Sequence, residues 1–169
     1  MSILGKLLQS LGGGRPLRVG DRAPDFTLED SDGQEVSLAQ AVREGPVILA
    51  FYPRAFTLGC TNELRKYTAR QEELRGRGAR LFAISVDDPP TLARFKARLG
   101  ASFTFLSDPG GKVAERYAGV SRGQARRTTI TIDQGGTITR VTAGVAAIFP
   151  ADDIVACTQL PSGDDVAAL

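Results

Sequence analysis

Two nearly continuous apolar runs of strand length constrain the fold of this chain more than any other feature. PVILAFY spans residues 46–52, ahead of Pro53, and RLFAISVD spans residues 80–87. Runs without polar alternation are typical of strands that are buried on both faces, as in parallel sheets covered by helices. Residues 60–75, between the two runs, are rich in helix-forming side chains. The sequence therefore predicts a strand–helix–strand unit.

The remaining elements follow in an order that extends this unit. We predict a helix from Pro90 to Gly100, a short strand at 103–106, a short helix at 112–119, a hairpin of residues 127–133 and 137–143 that turns at 134–136, and a last helix from Asp152 or Asp153 to Leu160. This order predicts an α/β sandwich with a central mixed sheet and helices on both faces. A thioredoxin-like architecture fits it.

Composition limits the chemistry that such a domain can perform. The chain has 169 residues, a net charge of +2 and no histidine. The small charge argues against a nucleic-acid partner, and the missing histidine excludes Ser-His and Cys-His catalysis. Its two cysteines, Cys60 and Cys157, are too few and too far apart in sequence for a disulfide framework, a CxxC pair or a zinc site. We expect no metal and no cofactor, and a nucleophile that is activated without histidine.

The start of the chain differs in pattern from the rest. Residues 2–11 carry isoleucine and leucine at helix-like spacing, and a glycine triplet and Pro16 then break the segment. Polar residues interrupt it well before membrane-spanning length, and it lacks the cleavage-site pattern of a secretory signal. We predict an appendage at 1–16, one domain at 17–160 and a tail at 161–169, in a cytoplasmic protein that does not bind membranes. For the appendage we favour a docking or disordered arm, and a segment that lies on a membrane is the alternative.

Cys60 lies where a cysteine can become a nucleophile without histidine. It follows a predicted buried strand and stands at the start of the predicted helix. There a sulfur faces unpaired backbone N–H groups and the positive end of the helix dipole, which favour the thiolate over the thiol. The carboxyl ends of strands in α/β sheets are also where such folds bind ligands. The position predicts a reactive thiolate, and an inert buried cysteine is the alternative.

The pattern Pro53-x-x-x-Thr57-x-x-Cys60 resembles the active-site motif of peroxiredoxins. Three further segments extend the likeness. Residues 19–28 resemble the family's opening segment, residues 106–114 resemble a later one, and residues 127–133 resemble the strand that bears its active-site arginine. The resemblance covers roughly residues 17–145, and it is greatest to the bacterioferritin-comigratory, or Q-type, branch.

This resemblance implies roles for five residues. Cys60 matches the peroxidatic cysteine, Thr57 the hydroxyl that hydrogen-bonds the peroxide, and Pro53 the ring that shields the sulfur from water. Arg127 matches the guanidinium that steadies thiolate and peroxide, and Glu63 matches an acid that holds this arginine. Thiolate attack on an O–O bond needs donors at the attacked oxygen and a cation near the departing one, and these groups can supply both.

Several of these residues also admit a purely structural interpretation. Thr57 could merely cap the helix, Pro53 could end a strand, and Glu63 could be a first-turn acid favoured by the helix dipole. Arg127 has a charged neighbour, Arg126, which strand alternation places on the opposite face. The motif spacing favours Arg127 as the residue that faces the site.

The implied activity is that of a thiol-dependent peroxidase acting on hydrogen peroxide or organic hydroperoxides. Its sulfenic acid would be reduced by an external thiol, such as thioredoxin or a small thiol, in a monomer or homodimer. Thiol–disulfide exchange is disfavoured because CxxC is absent, and a glutathione-peroxidase-like site because the chain has no tryptophan. A redox sensor or chaperone-like binding domain of the same fold, without sustained turnover, is the alternative.

Three positions depart from the Q-type pattern. Leu58 replaces a common proline, Ala55 replaces an acidic residue, and Arg65 lies where the branch often carries its resolving cysteine. Cys157 is the remaining candidate for that role. It falls on an apolar stripe of the predicted terminal helix, which favours buried packing over disulfide exchange. A mobile resolving cysteine near the C-terminus, as the family also uses, is the alternative.

Overall fold

The computed structural model describes residues 15–144, and a seven-stranded mixed sheet forms their centre. The described residues form nine strands, of which seven make up this sheet. The strands are β1 Thr27–Asp30, β2 Glu35–Ser37, β3 Val47–Phe51, β4 Arg80–Ser85, β5 Thr104–Ser107, β6 Val120–Ser121, β7 Gln124–Ala125, β8 Thr128–Ile132 and β9 Ile138–Ala143. The order across the sheet is β2-β1-β5-β4-β3-β8-β9. The short strands β6 and β7 form a separate two-stranded ribbon.

Helices cover both faces of this sheet. They are α1 Leu38–Glu44, α2 Leu58–Gly76, α3 Pro89–Leu99 and α4 Lys112–Tyr117. On one face, α2 and α3 contribute Leu64, Leu92 and Phe95 to the core. On the other face, α1 and α4 contribute Leu38 and Tyr117 to a second core cluster. The predicted mixed sheet with helices on both faces is confirmed.

The strand β3 is central, and all of its residues are buried. It pairs parallel with β4 and antiparallel with β8, and β4 pairs parallel with β5. Its side chains alternate, so that Ile48 and Ala50 face α2 and α3, whereas Val47 and Leu49 face α1 and α4. The predicted strand–helix–strand unit and the β8–β9 hairpin are confirmed. The carboxyl ends of β3, β4 and β5 therefore share one edge.

Acidic side chains fix the starts of the helices that follow β4 and β5. Asp88 Oδ1 accepts a hydrogen bond from the Thr91 N–H at 2.9 Å, which caps α3. Asp108 Oδ2 accepts one from the Ala114 N–H at 2.8 Å, in the first turn of α4. At its other end, α3 stops at Gly100, whose φ of 65° lies in the left-handed region that glycine adopts freely. The helix thus ends where the sequence predicts.

The structure differs from the sequence-based prediction mainly at one edge of the sheet. The sequence does not predict β1, β2 or α1, because both strands are short and all of their residues are exposed or half-buried. The helix α1 is also short, and it starts where the Ser37 hydroxyl accepts a hydrogen bond from the Gln40 N–H. In addition, α2 begins at Leu58 rather than Cys60, and β8 begins at Thr128.

Some predictions fall outside residues 15–144. These are the pattern of residues 1–14, the terminal helix that ends at Leu160, the placement of Cys157 and the tail at 161–169. Arg15 is the first described residue, and it forms an ion pair with Asp21 at 2.7 Å. Of the helices within the described part of the chain, none combines the length and the apolar character needed to cross a membrane.

Candidate active site

Cys60 lies at the amino-terminal end of α2, beyond the carboxyl edge of β3. A loop of residues 53–57 leads from the strand to the helix, and Thr57 occupies the N-cap position with extended backbone (φ −73°, ψ 150°). Cys60 is the third residue of α2 and is only 1% exposed. It belongs to the buried cluster that joins the sheet to α2 and α3. The structure thus places this cysteine at a helix N-terminus, as the sequence predicts.

The first turn of α2 leaves backbone donors free beside Cys60. The first hydrogen bond of the helix runs from the Thr61 N–H to the Thr57 carbonyl oxygen, at 2.9 Å. The N–H groups of Leu58, Gly59 and Cys60 therefore have no backbone acceptor within residues 15–144. Free N–H groups at a helix N-terminus stabilise nearby negative charge. This end of the helix therefore presents free donors to negative charge that develops at the site.

The Arg127 guanidinium contacts Cys60 directly. Its Nη2 lies 3.3 Å from Cys60 Sγ, and its Nη1 donates a hydrogen bond to Glu63 Oε2. Arg127 immediately precedes β8, whose pairing with β3 brings it beside the start of α2. Gly59 permits the close approach, since a Cβ at that position would lie 3.3 Å from Arg127 Nη2. A cation and a thiol that are far apart in sequence meet in one site.

Glu63 holds Arg127 from the buried side of α2. Its side chain is 3% exposed, and that of Arg127 is 18% exposed. A buried carboxylate is costly unless it is paired, so the ion pair accounts for an acid at this position of the helix. Arg127 thereby contacts a carboxylate and a sulfur through two different nitrogens. This geometry favours the arginine-holding interpretation of Glu63 over that of a simple first-turn acid.

Arg126 and Arg127 point in different directions, as the sequence predicts. Arg126 is exposed and its side chain lies beside Gly119, whereas Arg127 is half-buried against Cys60. Neither residue lies within β8, which starts at Thr128. The alternation of side chains therefore extends beyond the paired part of the strand.

The Thr57 hydroxyl does not cap α2. It donates a hydrogen bond to the Arg54 carbonyl oxygen at 3.1 Å, and it makes no bond to a backbone N–H of the helix. Because its proton is engaged by that carbonyl, the lone pairs of Thr57 Oγ1 remain to accept a hydrogen bond from a ligand. The residue is exposed, whereas Pro53, at the other end of the loop, is half-buried.

Tyr52 and Gly59 also contribute to the site, although neither residue is part of the motif that points to it. Tyr52 is fully buried and belongs to the same cluster as Cys60. Burial raises the pKa of the Tyr52 phenol well above its ordinary value, so this side chain is neutral. The only sequence signals are an aromatic residue directly before Pro53 and a glycine directly before the cysteine.

Two surface grooves, each of about 330 Å³, lie away from Cys60. One lies at the amino ends of β4 and β5, at the opposite edge of the sheet, and the other lies between α1 and the segment before β1. None of the five candidate residues lines either groove. The candidate site is therefore the Cys60 sulfur with its surrounding donors, and not one of these grooves.

Known proteins match this chain along most of its length. Residues 19–141 match the AhpC/TSA family. Peroxiredoxin Bcp of Escherichia coli is 34% identical over 134 residues, which cover 75% of this chain and 85% of that protein. A putative peroxiredoxin of Mycobacterium tuberculosis is 36% identical over 130 residues, which cover 72% of this chain and 82% of that protein.

Solved structures share the fold. The crystal structure of peroxidoxin BcpB from Mycobacterium tuberculosis gives a TM-score of 0.78 at 29% identity, over 86% of this chain and 99% of that chain. Peroxiredoxin Q of Xanthomonas campestris gives a TM-score of 0.73 at 23% identity, over 79% of this chain and 89% of that chain, a likeness of fold. The predicted thioredoxin-like sandwich is confirmed. Because residues 19–141 match this family and named peroxiredoxins are 34% and 36% identical over most of the chain, the chain belongs to the AhpC/TSA family of peroxiredoxins.

Proposed function

We propose that this chain is a thiol-dependent peroxidase that reduces hydrogen peroxide or organic hydroperoxides through Cys60. The observation that carries the proposal is the Arg127 guanidinium, 3.3 Å from Cys60 Sγ, at the amino-terminal end of α2. This arrangement offers a cation and free backbone donors to an anionic sulfur, and it needs no histidine. Membership of a peroxiredoxin family supports the same activity.

In the proposed reaction, Cys60 Sγ attacks one oxygen of the peroxide. An S–O bond forms as the O–O bond breaks with its electron pair on the departing oxygen, and the hydroxide or alkoxide takes up a proton from solvent, which replaces the one that the thiol released on ionisation. Thr57 Oγ1 accepts a hydrogen bond from the peroxide, Arg127 stabilises the charge on the departing oxygen, and Pro53 shields the sulfur from water. The sulfur loses two electrons and becomes a sulfenic acid, while the peroxide is reduced to water or an alcohol.

We propose that an external thiol then reduces the sulfenic acid. Its sulfur displaces water to give a mixed disulfide, which a second thiol resolves. Thioredoxin or a small thiol would serve, and the cytoplasm suits this cycle because thiols are kept reduced there. In α2 itself, Arg65 stands in place of a second cysteine. The test is a non-reducing gel after treatment with one equivalent of peroxide in the absence of thiol. A Cys60–Cys157 disulfide on that gel would contradict the one-cysteine cycle and indicate that Cys157 is the resolving cysteine.

Sustained turnover is the test of the proposed function. With an excess of thiol reductant, the chain should consume many equivalents of hydrogen peroxide, measured as peroxide loss against time. A redox sensor or chaperone-like domain with the same thiolate would react once. Consumption that stops at one equivalent per chain while reductant remains would therefore support the sensor and contradict the peroxidase.

Thr57→Val tests the proposed contact between the hydroxyl and the peroxide. The substitution keeps the side-chain shape and removes the proposed hydrogen bond to the substrate together with the bond to the Arg54 carbonyl oxygen, so we expect the rate constant with hydrogen peroxide to fall about tenfold. Thr61→Val is the matched control, because the Thr61 hydroxyl donates to the Thr57 carbonyl oxygen one turn further along α2. Equal rates for both variants, measured by stopped flow, would leave Thr57 with a structural role only.

A further inference from the structure

The loop that leads to Cys60 contains a residue in an unfavourable backbone conformation. Phe56 has a φ of 63°, in the left-handed region that residues with a Cβ rarely adopt. The residue is 46% exposed, and its ring packs against Phe95 with the centroids 4.9 Å apart. Such conformations persist only where the surrounding structure holds them, and they cluster at functional sites. Phe56 directly precedes Thr57, so its backbone conformation sets the direction in which the chain enters the Thr57 position.

Asp87 anchors this loop to the sheet. The Ala55 N–H, one residue before Phe56, donates a hydrogen bond to Asp87 Oδ2 at 2.8 Å. Asp87 follows the carboxyl end of β4, so this bond joins the loop to the strand next to β3. Within the loop, the Thr57 hydroxyl binds the Arg54 carbonyl oxygen. The Asp87 bond thus connects the strained segment to the rigid part of the fold.

Two buried serines fix Asp87 in turn. Ser85 Oγ donates to Asp87 Oδ2 at 2.7 Å and accepts a hydrogen bond from the Asp87 N–H at 3.3 Å. Ser107 Oγ, from β5, donates to the Asp87 carbonyl oxygen at 2.7 Å. Both serines are almost completely buried, at 1% and 3% exposure. A hydroxyl is costly to bury unless it is hydrogen-bonded, and here the bonds immobilise the carboxylate that holds the Ala55 N–H.

We propose that Asp87 is a positioning residue for the Cys60 reaction, which holds the loop 53–57 in its strained conformation through the Ala55 N–H. In this role Asp87 acts on the sulfur indirectly, because it places Thr57 and Pro53 relative to Cys60. The inference rests on the proposed peroxidase function, since it assigns a role in that reaction. Reactive geometry is sensitive to displacements of about 1 Å, so release of the loop should slow the attack on peroxide.

The experiment compares two reactions of the same sulfur in Asp87→Ala and in the parent chain. The first is oxidation by hydrogen peroxide, which needs the loop, and the second is alkylation by iodoacetamide, which needs the thiolate but no contact with Thr57. Both rate constants are followed by mass spectrometry of the Cys60 peptide. We expect the peroxide rate to fall at least about tenfold while the iodoacetamide rate stays within about twofold. Asp87→Asn, which keeps an oxygen acceptor for the Ala55 N–H, should restore most of the peroxide rate.

Asp88→Ala is the matched control. The Asp88 carboxylate caps α3 through the Thr91 N–H, so its loss should lower the melting temperature without moving the loop. The ratio of the two rate constants should then equal that of the parent chain. If Asp87→Ala does not fold, Ser85→Ala takes its place, because it removes the hydroxyl that fixes Asp87, and the ratio should fall about threefold.

Each outcome decides the proposal. A ratio that falls in Asp87→Ala or Ser85→Ala, and not in Asp88→Ala, supports the positioning role. If the parent chain reacts with peroxide, a ratio that stays at the parent value in Asp87→Ala, or that falls equally in Asp88→Ala, overturns this role alone. A parent chain whose Cys60 alkylates but does not react with peroxide overturns both this inference and the proposed peroxidase.

Discussion

Cys60→Ser should lower the peroxidase activity at least about a thousandfold, below detection in a steady-state assay with excess thiol. A serine hydroxyl is not ionised at neutral pH, and a serine side chain has no sulfur with which to form the sulfenic acid that the cycle requires. The fold should survive, because Arg127 Nη2, now 3.3 Å from the sulfur, can donate to a serine oxygen instead. The change in folding stability should be about 1 kcal/mol.

Cys157→Ser is the control for this substitution. In the proposed one-cysteine cycle it should keep both the rate of the first oxidation and the turnover with external thiol. Peroxide loss is measured for both variants, and circular dichroism checks that each is folded. Parent-like turnover in Cys60→Ser would remove Cys60 from the mechanism.

Arg127→Ala should slow the reaction of Cys60 with peroxide by about 10²–10³, the usual cost of removing one donor that stabilises developing charge. Arg126→Ala should leave the rate unchanged, since Arg126 is exposed and lies beside Gly119 rather than the sulfur. Stopped-flow rates with hydrogen peroxide give the comparison. Equal losses in the two variants would show that the motif spacing selects the wrong arginine.

Stability has to be separated from chemistry at Arg127. Arg127→Ala leaves Glu63 buried without a partner, at 3% exposure, and unpairing a buried ion pair costs about 3–5 kcal/mol. Arg127→Lys is the second variant. The lysine ammonium can pair with Glu63, but it has one nitrogen and cannot contact Glu63 and Cys60 through two nitrogens as a guanidinium does. We expect Arg127→Lys to be more stable than Arg127→Ala and still slower than the parent chain.

The central part of the fold could be predicted because burial on both faces leaves a plain signal in the sequence. The strands β3 and β4 appear as nearly continuous apolar runs, and glycines mark the ends of the two helices that follow them. The strands β1 and β2 are short and polar on one side, so their pattern resembles that of a loop. Pairing with neighbouring strands creates this edge of the sheet, and no local pattern encodes it.

The candidate site could be predicted in part. The position of Cys60 follows from the order of strand and helix, whereas Arg127 and Glu63 enter through the family resemblance. Periodicity does not show that Arg127, just before β8, meets the first turn of α2. The sequence also does not predict that Asp87 anchors the loop. One signal exists, since Ser85 interrupts the end of an apolar run at a buried position.

Chemical trapping of oxidised Cys60 tests the central claim most directly. The Cys157→Ser chain, which keeps a single thiol, is treated with one equivalent of hydrogen peroxide in the presence of dimedone, a reagent that alkylates sulfenic acids. Peptide mass spectrometry then locates the adduct. We predict that the Cys60 peptide carries the dimedone adduct and that one thiol is lost for each peroxide consumed. Peroxide consumed while the Cys60 peptide stays unmodified would contradict the account.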